Sequence, residues 1–184
     1  MDLSESPFKD FLEPIGELVV AFSILETHLG STIQLLIGIS PEDRVLLMEQ
    51  ISIRRRIDFF GASLNGKLKD PDAVAWATDI TEDLRRANSH RNYIVHGPWN
   101  DFEPITGEAT KLKFRTTKSY AVRQYKYTTP QIKEITSNMF SIMTRMGFLM
   151  GHVLPPPASL IDHAPVMKLG QSPGNCMPPC PLPD

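Results

Sequence analysis

Apolar residues recur along this chain mainly at helical spacing, and the breaks in that pattern coincide with turn signals. Phe11, Ile15, Leu18, Phe22, Leu25, Leu29, Ile33 and Leu36 recur at intervals of three and four, which predicts a first helix from about Phe8 to Ile37 that Gly38 stops. Pro14 is a candidate kink in its first turns. Ser40-Pro41-Glu42-Asp43 supplies an N-cap, a proline at the first helical position and an acid at the third, and so opens a second helix. Ile57, Phe60 and Leu64 give the stretch from Ile53 to Leu68 one buried side; it either continues the second helix or follows a break near Ser52. Asp70-Pro71 starts a long helix by the same capping logic, and Gly97-Pro98 closes it.

The period then changes. Lys111-Leu112-Lys113-Phe114-Arg115 and Tyr120 to Tyr127 alternate in the manner of strands around a polar turn, which predicts a β-hairpin. Thr129-Pro130 caps a last helix reaching about Val153, with Ile132, Ile135, Met139, Ile142, Met143, Met146 and Met150 on one side; this methionine stripe reads as core or dimer contact rather than as a ligand site. From Pro155 onward prolines and glycines replace the periodic pattern, and the segment cannot bury enough surface to offset its ordering entropy. The expected fold is therefore mainly α: an up-and-down bundle of four to five helices with an inserted β-hairpin, forming one domain over residues 1–154, followed by a disordered Pro-rich tail, 155–184.

The long fourth segment carries the chemistry. At ~100° per residue, Ala73, Trp76, Ala77, Ile80, Leu84, Ala87, Ile94 and Val95 share an arc, the expected buried face. Arg91 falls near the centre of that arc, where a guanidinium needs a partner. Glu26, at the edge of the first helix's apolar stripe, is the acid placed to supply one. Beside the arc runs a stripe of Thr81, Arg85, Asn88, Ser89, Asn92 and His96, suited to a cleft wall or a wet interface. Glu82, Asp83, Arg86, His90 and Tyr93 fall on the sides expected to face solvent.

Composition narrows the setting. The apolar stretch Leu18 to Ile39 is interrupted by Glu26, His28 and Gln34, which favours a buried helix over a membrane span. The N-terminus lacks the order of a signal peptide. Cys176 and Cys180 both lie in the tail without a second pair to complete a zinc site, so they read as free thiols of a cytoplasmic protein. Net charge is −2, but residues 1–50 hold nine acids against two bases, while residues 51–184 hold twelve acids against seventeen bases. The excess of bases gathers at Lys111, Lys113, Arg115, Lys118, Arg123 and Lys126, and again at Arg54-Arg55-Arg56 with Lys67 and Lys69. With Phe114, Tyr120, Tyr125 and Tyr127 interleaved, the hairpin is either an RNA-binding surface that stacks unpaired bases or an edge protected from aggregation by lysines, its aromatics packed on the bundle.

Arg91, Asn92 and His96 match the signature of an arginine, a polar residue after it and a histidine a few positions on, closing a long helix. In this the chain resembles the HEPN domains (higher eukaryotes and prokaryotes nucleotide-binding). The resemblance covers roughly residues 8 to 154. It implies a helical bundle that commonly dimerises across the motif, and metal-independent ribonuclease activity in many members, often in toxin, antiphage or RNA-processing systems. Other members only bind or scaffold. On this likeness Arg91, Asn92 and His96 are the expected catalytic residues, with Glu26 in a supporting ion pair and no cofactor or metal. RNA is the expected partner, a homodimer the expected assembly, and an antitoxin or other protein a further partner. RNA carries its own nucleophile: His96 would remove the 2′-hydroxyl proton or protonate the leaving 5′-oxygen, Arg91 would stabilise phosphate charge, and Asn92 would orient either group. The alternative reading is non-catalytic, with Arg91 an internal ion-pair partner and His96 a cap favoured by the helix dipole. One position departs from the subgroup whose members are nucleotidylated on a Tyr two residues after the His: here it is Pro98.

Overall fold

The computed structural model describes residues 9–96, 99–103, 108–115 and 121–154. These form helices α1 (Lys9–Ile37), α2 (Pro41–Gln50), α3 (Ile53–Asn65), α4 (Pro71–Val95) and α5 (Thr129–Val153), with strands β1 (Trp99–Glu103), β2 (Glu108–Arg115) and β3 (Ala121–Thr128) between α4 and α5. The architecture is mainly helical, as expected. The polar turn with Lys118 and the Pro-rich segment from 155 onward lie outside the described residues.

Local chemistry sets the boundaries. Gly38 leaves α1 with φ +70, a conformation that costs other residues a Cβ clash, and its N–H reaches the Gln34 carbonyl at 2.9 Å. Pro14 sits inside α1, where it forgoes one backbone hydrogen bond. The Ser40 hydroxyl accepts from the Asp43 N–H at 3.0 Å to open α2. A break does occur at Ser52: Ile51 and Ser52 are extended, and the Ser52 hydroxyl caps α3. Asp70 caps α4. The cap of α5 is Thr128 rather than Thr129, because Thr128 and Gln131 satisfy each other's backbone N–H groups in a capping box, at 3.4 and 2.9 Å.

The core lies where α1 meets α3, α4 and α5. All eight apolar positions expected on the inner side of α1 pack there, with Ile15 half-buried. On α5, Ile132, Ile135, Met139, Ile142, Met146 and Met150 are buried and Met143 is half-buried against them, so the methionine stripe packs on the core. Where α3 crosses α4, a Cβ on Gly61 would come within 3.1 Å of the Thr81 side chain; the missing side chain permits that approach. None of the residues of α2 is buried.

The hairpin has a third strand. β2 and β3 pair antiparallel from Glu108 opposite Thr128 to Arg115 opposite Ala121, and β1 adds to β2 with a register irregularity between Trp99 and Asp101. In the β1 sequence Trp-Asn-Asp-Phe-Glu the two β-formers stand three apart with Asn and Asp between them, so no period-2 signal marked it. Beside its pairing with β2, packing holds it: the Trp99 ring stands edge-on to Phe11 at 5.0 Å and to Tyr127 at 5.9 Å. Tyr125 meets Tyr93 at 5.3 Å. Tyr93, expected on the wet side, is thus half-buried. Tyr125 and Tyr127 are buried against the bundle and are not available to stack on bases.

A second correction concerns the side of α4 expected to face water. Asp83 and His90 are buried, and α5 supplies the partner of Asp83. Asp83 Oδ2 accepts from Arg145 Nη1 at 2.6 Å, and its other oxygen accepts from Arg86 at 3.2 Å.

Candidate functional site

At its C-terminal end α4 brings together three of the residues singled out from the sequence. The helix ends at Val95; His96 is extended, and its N–H still reaches the Asn92 carbonyl at 3.1 Å. Spacing by four aligns Asn88, Asn92 and His96, with Arg91 beside them. Arg91 Nη1 donates to Asn92 Oδ1 at 3.0 Å and to His96 Nε2 at 2.9 Å, while Asn92 Nδ2 donates to Asn88 Oδ1 at 3.4 Å. A guanidinium can only donate, so Nε2 is the acceptor in this contact. Asn92 and His96 are exposed and Arg91 is half-buried, at the margin of the apolar arc rather than its centre. Its Cζ lies 5.5 Å from the centre of the Phe22 ring on α1.

The stripe leading to the motif is only partly open. Thr81 is buried and donates to the Ala77 carbonyl, and Arg85 pairs with Asp58 of α3 at 2.9 Å. From Asn88 onward the stripe opens towards solvent.

Glu26 does not supply the charge expected for Arg91. Its carboxylate pairs with Arg56 Nη1 at 3.0 Å, and Arg56 also donates to the carbonyls of Ile51 and Met48, tying α1 to the α2–α3 junction. The Arg54-Arg55-Arg56 run is therefore no uniform basic patch: Arg56 is a half-buried tie, while Arg54 and Arg55 are exposed. Beside the pair lies an open cleft of about 340 Å³ lined by Ser23, Glu26, Thr27, Arg44, Met48 and Arg56 among others.

Of the basic residues read as RNA contacts, Lys111, Lys113 and Arg115 stand on β2 and Arg123 on β3, with Lys113 opposite Arg123 in the register. Lys118 lies outside the described residues. Lys126 is exposed but not free, because its ammonium meets Glu108 Oε1 at 2.6 Å. That hydrogen bond and the charge of Glu108 raise its pKa above the ordinary lysine value.

Phe22 and the Asp83–Arg145 pair did not emerge from the sequence reading. Phe22 gave no signal beyond its place in the apolar repeat. Arg145 gave one: it stands between Ile142 and Leu149 at helical spacing, an arginine in an apolar stripe.

Chemically, the end of α4 offers a cation with unused donors, an amide and an imidazole within hydrogen-bond reach of one another. That set can hold an anion and exchange a proton. No family model, curated protein or solved structure matches the chain.

Proposed function

We propose that this chain is a metal-independent endoribonuclease of the HEPN type, with Arg91, Asn92 and His96 as its active site. The observation that carries the reading is the hydrogen-bonded set Arg91–Asn92–His96 at the open end of α4. An RNA phosphate drawing on Arg91 competes with the bond from Nη1 to His96 and so frees the Nε2 lone pair. His96 then takes the proton of the 2′-hydroxyl, and the 2′-oxygen attacks phosphorus. The bond from phosphorus to the 5′-oxygen breaks as that oxygen takes a proton from the imidazolium of the second copy's motif in the proposed dimer, giving a 2′,3′-cyclic phosphate and a 5′-hydroxyl end. Arg91 offsets the charge that builds on the non-bridging oxygens, while Asn92 holds Arg91 towards His96. One imidazole serves poorly as base and acid together, which supports a homodimer whose two motifs share a cleft. Incubation with total RNA in EDTA, followed by analysis of product ends, tests the reading: cyclic-phosphate ends are expected, and intact RNA overturns it.

The same contact also favours a second reading. A histidine whose Nε2 is held by Arg91 can serve to position the arginine, leaving a non-catalytic module that binds RNA, a nucleotide or a partner protein. Loss of cleavage with retained RNA affinity in His96→Ala supports the enzyme; wild-type binding without cleavage supports the module.

A further inference from the structure

Among the described residues Arg91 is held without a counter-ion. Its guanidinium meets an amide oxygen, an imidazole nitrogen and an aromatic face, and no carboxylate lies within ion-pair distance of it among the described residues. The acid one turn along α1 from Phe22 is Glu26, and Arg56 engages it. Phe22 is only 4% exposed, so the core fixes the plane of its ring and the face it turns to Arg91.

We infer that Phe22 is the positioning residue of the site: it aims Arg91 while leaving the positive charge unneutralised and open to an incoming phosphate-class anion. A carboxylate in its place would orient the guanidinium equally well but would have to be displaced by the anion. A ring attracts the cation through its quadrupole and adds no negative charge. It also restricts the rotamers of a long side chain before the anion arrives, so less ordering remains to be done on binding. This deepens the proposed function, but it concerns anion binding at Arg91 and can be judged whether or not RNA is cut.

The test uses inorganic phosphate as probe and the side-chain N–H resonances of Arg91 as readout, in the full chain and in the variants Phe22→Met and Phe22→Tyr. Protons over an aromatic face are shifted upfield by the ring current. Wild type and Phe22→Tyr are expected to show this shift, and Phe22→Met to lose it while the helical circular dichroism is kept. Phosphate should move the Arg91 resonances in wild type, with an affinity ~2- to ~30-fold lower in Phe22→Met, the span given by a cation–π contact from exposed to desolvated, and recovered in Phe22→Tyr. On RNA, the loss in Phe22→Met should fall on the turnover rate as well as on binding. Equal phosphate affinity in wild type and Phe22→Met, no phosphate response at Arg91, or no ring-current shift in wild type overturns the inference. Phosphate binding with this dependence but no RNA cleavage by wild type leaves the inference standing and removes the ribonuclease reading.

Discussion

Asp83 and Arg145 form the most buried ion pair described, each side chain 7% exposed, at 2.6 Å across the contact of α4 with α5. Removing one member strands the other in a poorly solvated place, so Asp83→Ala should cost ~3–5 kcal/mol, read as a lower midpoint in urea at unchanged slope. Replacing both, Asp83→Leu with Arg145→Met, should recover much of that loss. The Glu26–Arg56 pair is wetter, with Glu26 34% exposed, and Arg56 keeps its two carbonyl acceptors. Glu26→Gln should therefore cost only ~1 kcal/mol or less, measured the same way. Arg91→Ala and His96→Ala sit at the open end of α4 and should leave the helical circular dichroism unchanged while lowering RNA cleavage by ~10²–10³. Undiminished cleavage by either variant contradicts the assignment. The closeness of Asn92 and His96 was legible from their spacing of four, and Arg91 reaches both through its long side chain. The partner of Arg91 was not legible, since Glu26 at the edge of its stripe can turn to either of two neighbouring helices, and α3 happened to offer Arg56.

Elements were read well where they carry their own signals and poorly where tertiary contacts decide. The Ser40-Pro41, Asp70-Pro71 and Thr-Thr-Pro sequences mark helix starts through groups a few residues away. Thr128→Ala should accordingly lower stability by ~1 kcal/mol, and Gly38→Ala by ~1–2 kcal/mol because alanine at φ +70 meets its own backbone; thermal melts check both. Strand β1 has no such signal and is held by its pairing with β2 and by Trp99 against Phe11 and Tyr127. Asp83 and His90 looked solvated because one helix cannot announce what will pack on it. Across the sheet, Lys126 and Glu108 make the pair whose pH dependence can be stated. A lysine pKa raised by folding favours the folded state at neutral pH, and that contribution disappears as pH rises through the raised value. Lys126→Met should flatten the stability profile at alkaline pH, with little change in its shape near pH 7.

Across the whole molecule, α1 is the organising element. Among the described residues it is the one helix long and apolar enough to cross a membrane, and here its inner side forms the core shared by α3, α4 and α5. Charge is unevenly spread around that core. Acids concentrate in the first fifty residues and bases on β2 and β3, whose sheet packs through Trp99, Tyr125 and Tyr127 beside the end of α4. The burial of Tyr125 and Tyr127 takes these two rings out of the stacking set, and the share of the proposed affinity that salt can test is the phosphate contacts of the basic residues. Such contacts release counterions, and for single strands the slope of log affinity against log salt is about −0.7 per phosphate neutralised. Reversing Lys113 and Arg115 to glutamate together should therefore weaken binding of a short RNA more at low than at high salt and make the slope shallower by ~1.4. The proposed dimer should survive these changes, keeping a light-scattering mass of about twice the 20.7 kDa chain. Titrations of fluorescent RNA at several salt concentrations measure the slope. An affinity indifferent to both the reversal and the salt would remove the sheet from the RNA-binding surface and leave the Arg91 site to account for recognition alone.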